Sequence, residues 1–336
     1  MASSGRRMRS RLREARIDSS AACRRIARNS ESACVRRGKA AVRAHTDEPM
    51  PPRTTSSEKP SETIMNPSRL PTYFLSHGGG PWPWMKDFRP GAYDQLEASL
   101  HAVRLELGQV PRAVLMISGH WEASRFLLSS AARPPMVFDY HGFPEHTYRI
   151  RYDAPGAPTL AETVRAMLER GGLPSGLDPQ RGFYHGTFTL MHTMYPEADM
   201  PLVQLSIRAN LDPAEHLRVG EIIAPLRDEG VLIVGSGFSF HDTRKIMSGA
   251  GAAASAAFDE WLNDTLLGSS PEERQQRLAH WETAPAARAA HPREDHLIPL
   301  MVAVGAAGDD AGVRAYHQTD FMGSITASSY RFGAHP

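Results

Sequence analysis

An α/β fold is predicted, a single domain in which helices flank a central mixed, mostly parallel sheet. Three observations lead to it. From Leu70 onward, short β-rich runs alternate with helical segments, the pattern of a sheet with helices on its faces. The runs are almost continuously apolar rather than alternating, as suits central strands covered on both sides. Helix start signals, such as Asp212-Pro213 and Ser270-Pro271, punctuate the chain between them.

The runs LPTYFLS (70–76), RAVLMIS (112–118), PLVQLSI (201–207) and VLIVGSG (231–237) read as strands. Helices are expected over 91–107, 157–171, 213–228, 252–267, 271–282 and 295–306. Two late strands, VRAYHQT and ITASSYRF, should close one edge of the sheet. No internal repeat is present.

At 336 residues and 41% hydrophobic, the chain can bury a sizeable core. Its net charge of +1 conceals an arginine-rich, acid-poor stretch over residues 1–65, followed by a mildly acidic body over 66–336. The leader ends in PPRTTSSEKPSE and has no hydrophobic periodicity, so it reads as disordered. Glu14, Asp18 and Glu31 interrupt a mitochondrial transit signal, and translation from Met65 is the preferred alternative. Its arginines have no interleaved aromatics to stack on bases, so no nucleic-acid partner is expected. The two cysteines, Cys23 and Cys34, both fall in this leader. The body therefore has no thiolate for catalysis or metal binding, and any metal there needs histidine or carboxylate ligands. With no apolar run of spanning length and no secretory signal, a soluble, cytoplasmic protein without a membrane partner is expected.

Open α/β sheets put ligands at strand ends, and here the strand ends carry histidines. Strand 70–76 runs into His77-Gly78-Gly79-Gly80-Pro81, and strand 112–118 into Gly119-His120-Trp121. Strand 231–237 leads through Phe238-Ser239-Phe240 to His241. His185, in Tyr184-His185-Gly186, stands just before a predicted helix, and His291 and His296 form a further pair. Three neutral imidazoles around a divalent ion leave coordination positions open for substrate. Taken singly, each histidine is as well explained by a structural hydrogen bond; taken together they point to a metal site.

Other polar residues have plainer readings. His101, His216 and His280 fall on helices as solvated face residues, and His192 packs or caps. His141 and His146 sit in the aromatic loop FDYHGFPEHTYRIRYDAPG, where a pocket-lining role is considered. Asp139, Asp242, Glu294 and Asp295 are either acceptors that orient imidazoles or surface carboxylates. Tyr140, Tyr148, Phe143 and Trp121 are candidate apolar walls for an aromatic substrate.

The ordered set of these motifs resembles the aromatic ring-opening dioxygenases of the class III extradiol type, in their DOPA-dioxygenase-like branch. The elements run from Ser76-His77-Gly78 and Ile117-Ser118-Gly119-His120-Trp121, through Gly142-Phe143-Pro144, Tyr152-Asp153-Ala154-Pro155-Gly156 and Tyr184-His185-Gly186, to Met194-Tyr195-Pro196 and Pro201-Leu202-Val203-Gln204-Leu205-Ser206. Gly235-Ser236-Gly237 with His241, and Asp295-His296 with Pro299-Leu300, complete them. The resemblance covers Leu70 to Phe332. It implies that His77, His120 and His296 bind the metal, that His241 is a catalytic acid/base or a fourth ligand, and that His185 holds and protonates the substrate. It implies ferrous iron as cofactor, with zinc possible in purified protein, and a small catecholic substrate and dioxygen as partners. A zinc hydrolase on the same three histidines, or a metal-free binding protein of the same fold, are the competing readings. Two departures stand out: His77-Gly78-Gly79-Gly80-Pro81-Trp82 where relatives carry His-Gly-Ser-Pro, and Tyr184-His185 where Asp-His is commoner.

Overall fold

The computed structural model describes residues 69–334. The basic leader, with Cys23, Cys34 and Met65, lies outside the described residues, as does His335.

Eight strands are present among the described residues: β1 (Thr72–Ser76), β2 (Ala113–Ala123), β3 (Phe126–Ser129), β4 (Ser175–Asp178), β5 (Leu202–Arg208), β6 (Val231–Gly237), β7 (Gly312–Phe321) and β8 (Ile325–Phe332). They form one sheet in the order β4-β3-β5-β2-β6-β1-β8-β7. The pairs β5–β2, β2–β6 and β6–β1 are parallel, as is β3–β4, while β3–β5, β1–β8 and β8–β7 are antiparallel. The predicted mixed, mostly parallel α/β sheet is therefore observed, with the two late strands at one edge. Strands β3 and β4 had no counterpart in the sequence reading. At four residues each, they are too short to show a periodicity.

The helices are α1 (Asp94–Glu106), α2 (Pro158–Arg170), α3 (His185–Met194), α4 (Pro213–Ile223), α5 (Thr243–Ser248), α6 (Ala252–Asn263), α7 (Pro271–Ala279), α8 (Ala287–Ala290) and α9 (Ile298–Ala307). Every residue of α9 is buried, as expected for a helix apolar all round. It packs against β1, β2 and β6 and is covered in turn by α4. The helix predicted over 295–306 starts three residues later, because Asp295, His296 and Leu297 are held in a loop ahead of it. No helix among the described residues is long and apolar enough to cross a membrane.

That loop lies directly on the sheet. A Cβ on Gly237 would come within 2.1 Å of the His296 carbonyl oxygen, and one on Gly119 within 2.6 Å of the Asp295 carbonyl oxygen. Only glycine leaves room for the backbone to approach so closely. Side chains alternate across a strand, so Ser236, next to Gly237, points to the opposite face. There its hydroxyl donates to the Gly186 carbonyl at 2.6 Å, fixing the start of α3. The two segments that carry His185 and His296 are thus seated on opposite faces of β6.

Strand β2 does not end at Ser118. It continues to Ala123, and its register against β5 shifts between Ser118 and Glu122. Such a bulge re-aims a side chain within a strand, and His120 sits inside it.

Two histidines proved to be core residues. His216, expected on a solvated helix face, is fully buried in α4. Its Nδ1 lies 2.6 Å from the Asp212 carbonyl oxygen, and its Nε2 accepts the Arg208 amide at 3.1 Å. Its ring meets Phe126 edge-on at 5.4 Å, an apolar neighbour invisible in local sequence. His101 and His280 are exposed as expected. His291 is also fully buried, packed between Phe258 and Trp281, with Nε2 donating to the Ser239 carbonyl at 3.0 Å.

Gly237→Ala is expected to destabilise the fold by about 2 kcal/mol, a typical cost of overpacking, read as a lower urea midpoint at unchanged slope. Burial lowers the His291 pKa to about 3, against about 6.5 in the unfolded chain. Between those values the unfolded state binds a proton that the folded state refuses, so stability is lost as pH falls from 6.5 toward 3. The stability advantage of wild type over His291→Gln should shrink by up to about 1.4 kcal/mol per pH unit in that window. A pH-independent difference in urea titrations would contradict this.

Candidate metal centre

The parallel strands β1, β6 and β2 end side by side, with Ser76 opposite Gly237 and Ser118 opposite Ser236. The histidines that follow β1 and lie in the β2 bulge are therefore neighbours. His77 Nε2 is 3.2 Å from His120 Nε2, and His296 Nε2 is 3.1 Å from the same atom. The three residues offer donor atoms within 4.8 Å of one another. Both His77 and His296 are buried, and His120 is partly so.

Carboxylates stand behind two of these rings. Asp295 Oδ2 is 2.8 Å from His296 Nδ1, and Asp139 Oδ2 is 3.2 Å from His120 Nδ1. The Asp295 carboxylate accepts from His296 Nδ1, which holds the proton there and leaves the His296 Nε2 lone pair free; the Asp139 contact to His120 is electrostatic, without hydrogen-bond alignment. The His296 Nε2 lone pair faces His120 Nε2 at 3.1 Å, and a cation between the two nitrogens would be held by both rings. Burial, followed by the charges of neighbouring histidines, pushes the pKa values of His77, His120 and His296 well below the usual value. The rings are consequently neutral, the form that ligates a metal. The donor set fits a metal cofactor.

Asp139 serves a second histidine. Its Oδ1 accepts from both Nδ1 (2.8 Å) and the backbone amide (3.1 Å) of His185. Because His185 is the first residue of α3, this carboxylate also satisfies one of the helix's unpaired amides and suits its positive end. A Cβ on Gly186 would come within 2.7 Å of His120 Cδ2, so glycine there lets α3 come up against the cluster. The His185 and His120 ring centroids are 4.0 Å apart.

His241 occupies a different position. Its ring stacks on His296 at 3.4 Å and 14°, and it shares a set of donor atoms with Asp295 and His296 rather than with His77 and His120. Burial pushes its pKa below the usual histidine value, with Asp295 opposing the shift.

All five histidines line one cavity of about 440 Å³. Of the aromatic walls expected, Phe143 lines it, whereas Trp121, Tyr140 and Tyr148 do not. Trp121 is buried with the Arg181 guanidinium over its ring at 5.2 Å. The Tyr140 hydroxyl donates to the Thr147 carbonyl at 2.6 Å, bracing the loop behind His185. Its ring meets His185 edge-on at 5.8 Å. His141 and His146 are exposed and do not line the cavity. Asp242 caps α5 and pairs with Lys245, and Glu294 pairs with Arg288, so neither orients an imidazole. The walls missed from sequence include Met85, Phe88, Ile246, Met247 and Phe321. The signal available for some was an apolar side chain in a polar stretch: Phe88 is 70% exposed and Met247 68%.

Comparison with known proteins agrees with this architecture. Residues 72–333 match the family described as the catalytic LigB subunit of aromatic ring-opening dioxygenase. The chain is 37% identical over 266 residues to a 4,5-DOPA dioxygenase extradiol from Beta vulgaris, covering 78% of this chain and 96% of that protein. It is likewise 37% identical over 281 residues to the dioxygenase tasH of Hapsidospora irregularis, covering 78% of this chain and 85% of that one. An uncharacterised protein from Escherichia coli K12 has a similar crystal structure, with a TM-score of 0.65 and 27% identity over 79% of this chain and 100% of that one. The chain belongs to the family of the catalytic LigB subunit of aromatic ring-opening dioxygenases.

Proposed function

We propose that the protein opens the ring of a catechol beside its two hydroxyls, using dioxygen, with His77, His120 and His296 holding a ferrous ion. The observation that carries this reading is the convergence of three imidazole Nε2 atoms at the floor of an apolar cavity, with carboxylates behind two of them. Bound there, ferrous iron supplies a redox path between ring and dioxygen that zinc lacks. The reaction balances without a further reductant: the catechol provides the electrons, one ring carbon–carbon bond breaks, and both oxygen atoms enter the product. The cleaved carbons become a carboxylate and an aldehyde.

The chain's own groups then handle protons and orientation. His185, whose Nδ1 donates to Asp139 Oδ1, uses Nε2 to take a phenolic proton from the substrate. His241, beside Asp295 and open to the cavity, exchanges a second proton as the oxygen–oxygen bond breaks. Phe143 and Phe238 border the cavity, and their faces orient a flat ring and exclude water.

Anaerobic reconstitution with ferrous iron, followed by a spectrophotometric screen for yellow ring-opened products, tests the activity directly. His120→Ala should lose both bound metal and turnover, whereas His241→Ala should keep the ion and lose turnover by at least about a hundredfold. Loss of the ion from His241→Ala, measured by elemental analysis, would instead assign His241 to the ligand set. Asp139→Asn should weaken metal affinity about tenfold to a hundredfold in a chelator competition and lower kcat in addition, since the same carboxylate orients His185.

A further inference from the structure

Above the histidines, the cavity is collared by Met85, Phe88, Ile246, Met247, Phe321 and Met322. Arg89 is the one side chain of this lining, histidines aside, that carries a charge, and no Asp or Glu belongs to the lining. Asp87, two residues away, is exposed and outside the wall. The Arg89 guanidinium reaches across the mouth, where Nη1 donates to Met322 Sδ at 3.2 Å. A thioether is a weak acceptor, and a guanidinium has five N–H donors in a planar fork. No carboxylate pairs with it among the described residues, so the fork that best fits a carboxylate faces the cavity mouth without one.

The two ends of the cavity set the direction of a ligand. A catechol with its hydroxyls at His77, His120 and His296 points its ring substituent away from them, through the apolar collar, toward Arg89. We propose that Arg89 receives an anionic group at the end of that substituent, so that the protein selects catechols bearing a terminal carboxylate and no ammonium group. This rests on the ring-opening reading above. An ammonium in the same place would leave water for an apolar collar without an acidic partner, a desolvation that nothing there repays. It would also face a like charge.

Four catechols of similar skeleton test this with the iron-reconstituted full chain: 3-(3,4-dihydroxyphenyl)propanoate, 4-propylcatechol, dopamine and 3,4-dihydroxyphenylalanine. The propanoate should give the highest kcat/KM, and dopamine the lowest, by at least about tenfold. Arg89→Ala should cut the propanoate-to-propylcatechol ratio about tenfold, mainly through KM, and Arg89→Glu should reverse the order of propanoate and dopamine. Because each ratio is taken within one variant, a general loss of folded enzyme does not mimic the effect. Anaerobic calorimetric titration of the same ligands should give dissociation constants in the same order. Equal kcat/KM across the charge series, or a ratio unmoved in Arg89→Ala, overturns the proposal. Absence of ring opening with every catechol overturns the ring-opening reading, and the titrations then decide the role of Arg89 by themselves.

Discussion

The site depends on the direct contact between the backbone of residues 295–299 and the glycines of β2 and β6. The carbonyls of Asp295, His296 and Pro299 rest where the Cβ atoms of residues 119, 237 and 235 would otherwise be. This close seating lowers His296 onto the sheet until its Nε2 meets that of His120, and it anchors the N-terminus of α9, the fully buried helix of the core. On the other face, Gly186 lets α3 approach in the same way. One pair of sheet strands thus brings together histidines that are 176 positions apart in the chain, and packing densities of protein interiors leave little slack for either segment to move.

A cluster of buried histidines is electrostatically awkward, and the surrounding groups resolve it. Protonating several rings in a low-dielectric site is costly, and the depressed pKa values of His77, His120 and His296 reflect that cost. Asp295 and Asp139 do not neutralise the rings; they hydrogen-bond Nδ1 of His296 and of His185 and leave Nε2 of each free. Asp139 also satisfies an amide at the start of α3 through Oδ1, while its Oδ2 lies 3.2 Å from His120 Nδ1. The orientation of a metal-facing ring and of a substrate-facing ring is therefore coupled through a single side chain.

The cavity divides into a polar floor and an apolar collar. The floor is rigid because strands and buried helices hold it. The collar is built from the 81–93 segment, α5 and the β7–β8 turn, and α5 has no buried residue. Variation in those connections changes what enters while leaving the floor unaltered, as expected when function is carried on loops over a fixed scaffold.

The amino-acid sequence by itself determined the α/β class, the central strands and the histidines at their ends, because continuous apolar runs and strand-terminal residues are local features. It also indicated Asp139 and Asp295 as acceptors, without distinguishing them from Asp242 and Glu294. Tertiary structure alone decided which carboxylate meets which ring, since those partners are separated by up to 46 positions. It turned His120 inward through a register shift, which arises from pairing with β5 and has no local signature. It buried His216 and His291 against aromatic rings from other elements, and it drew Trp121, Tyr140 and Tyr148 away from the cavity. Residue type and local periodicity carry the first kind of information; the second exists only once distant backbone segments are packed at contact distance.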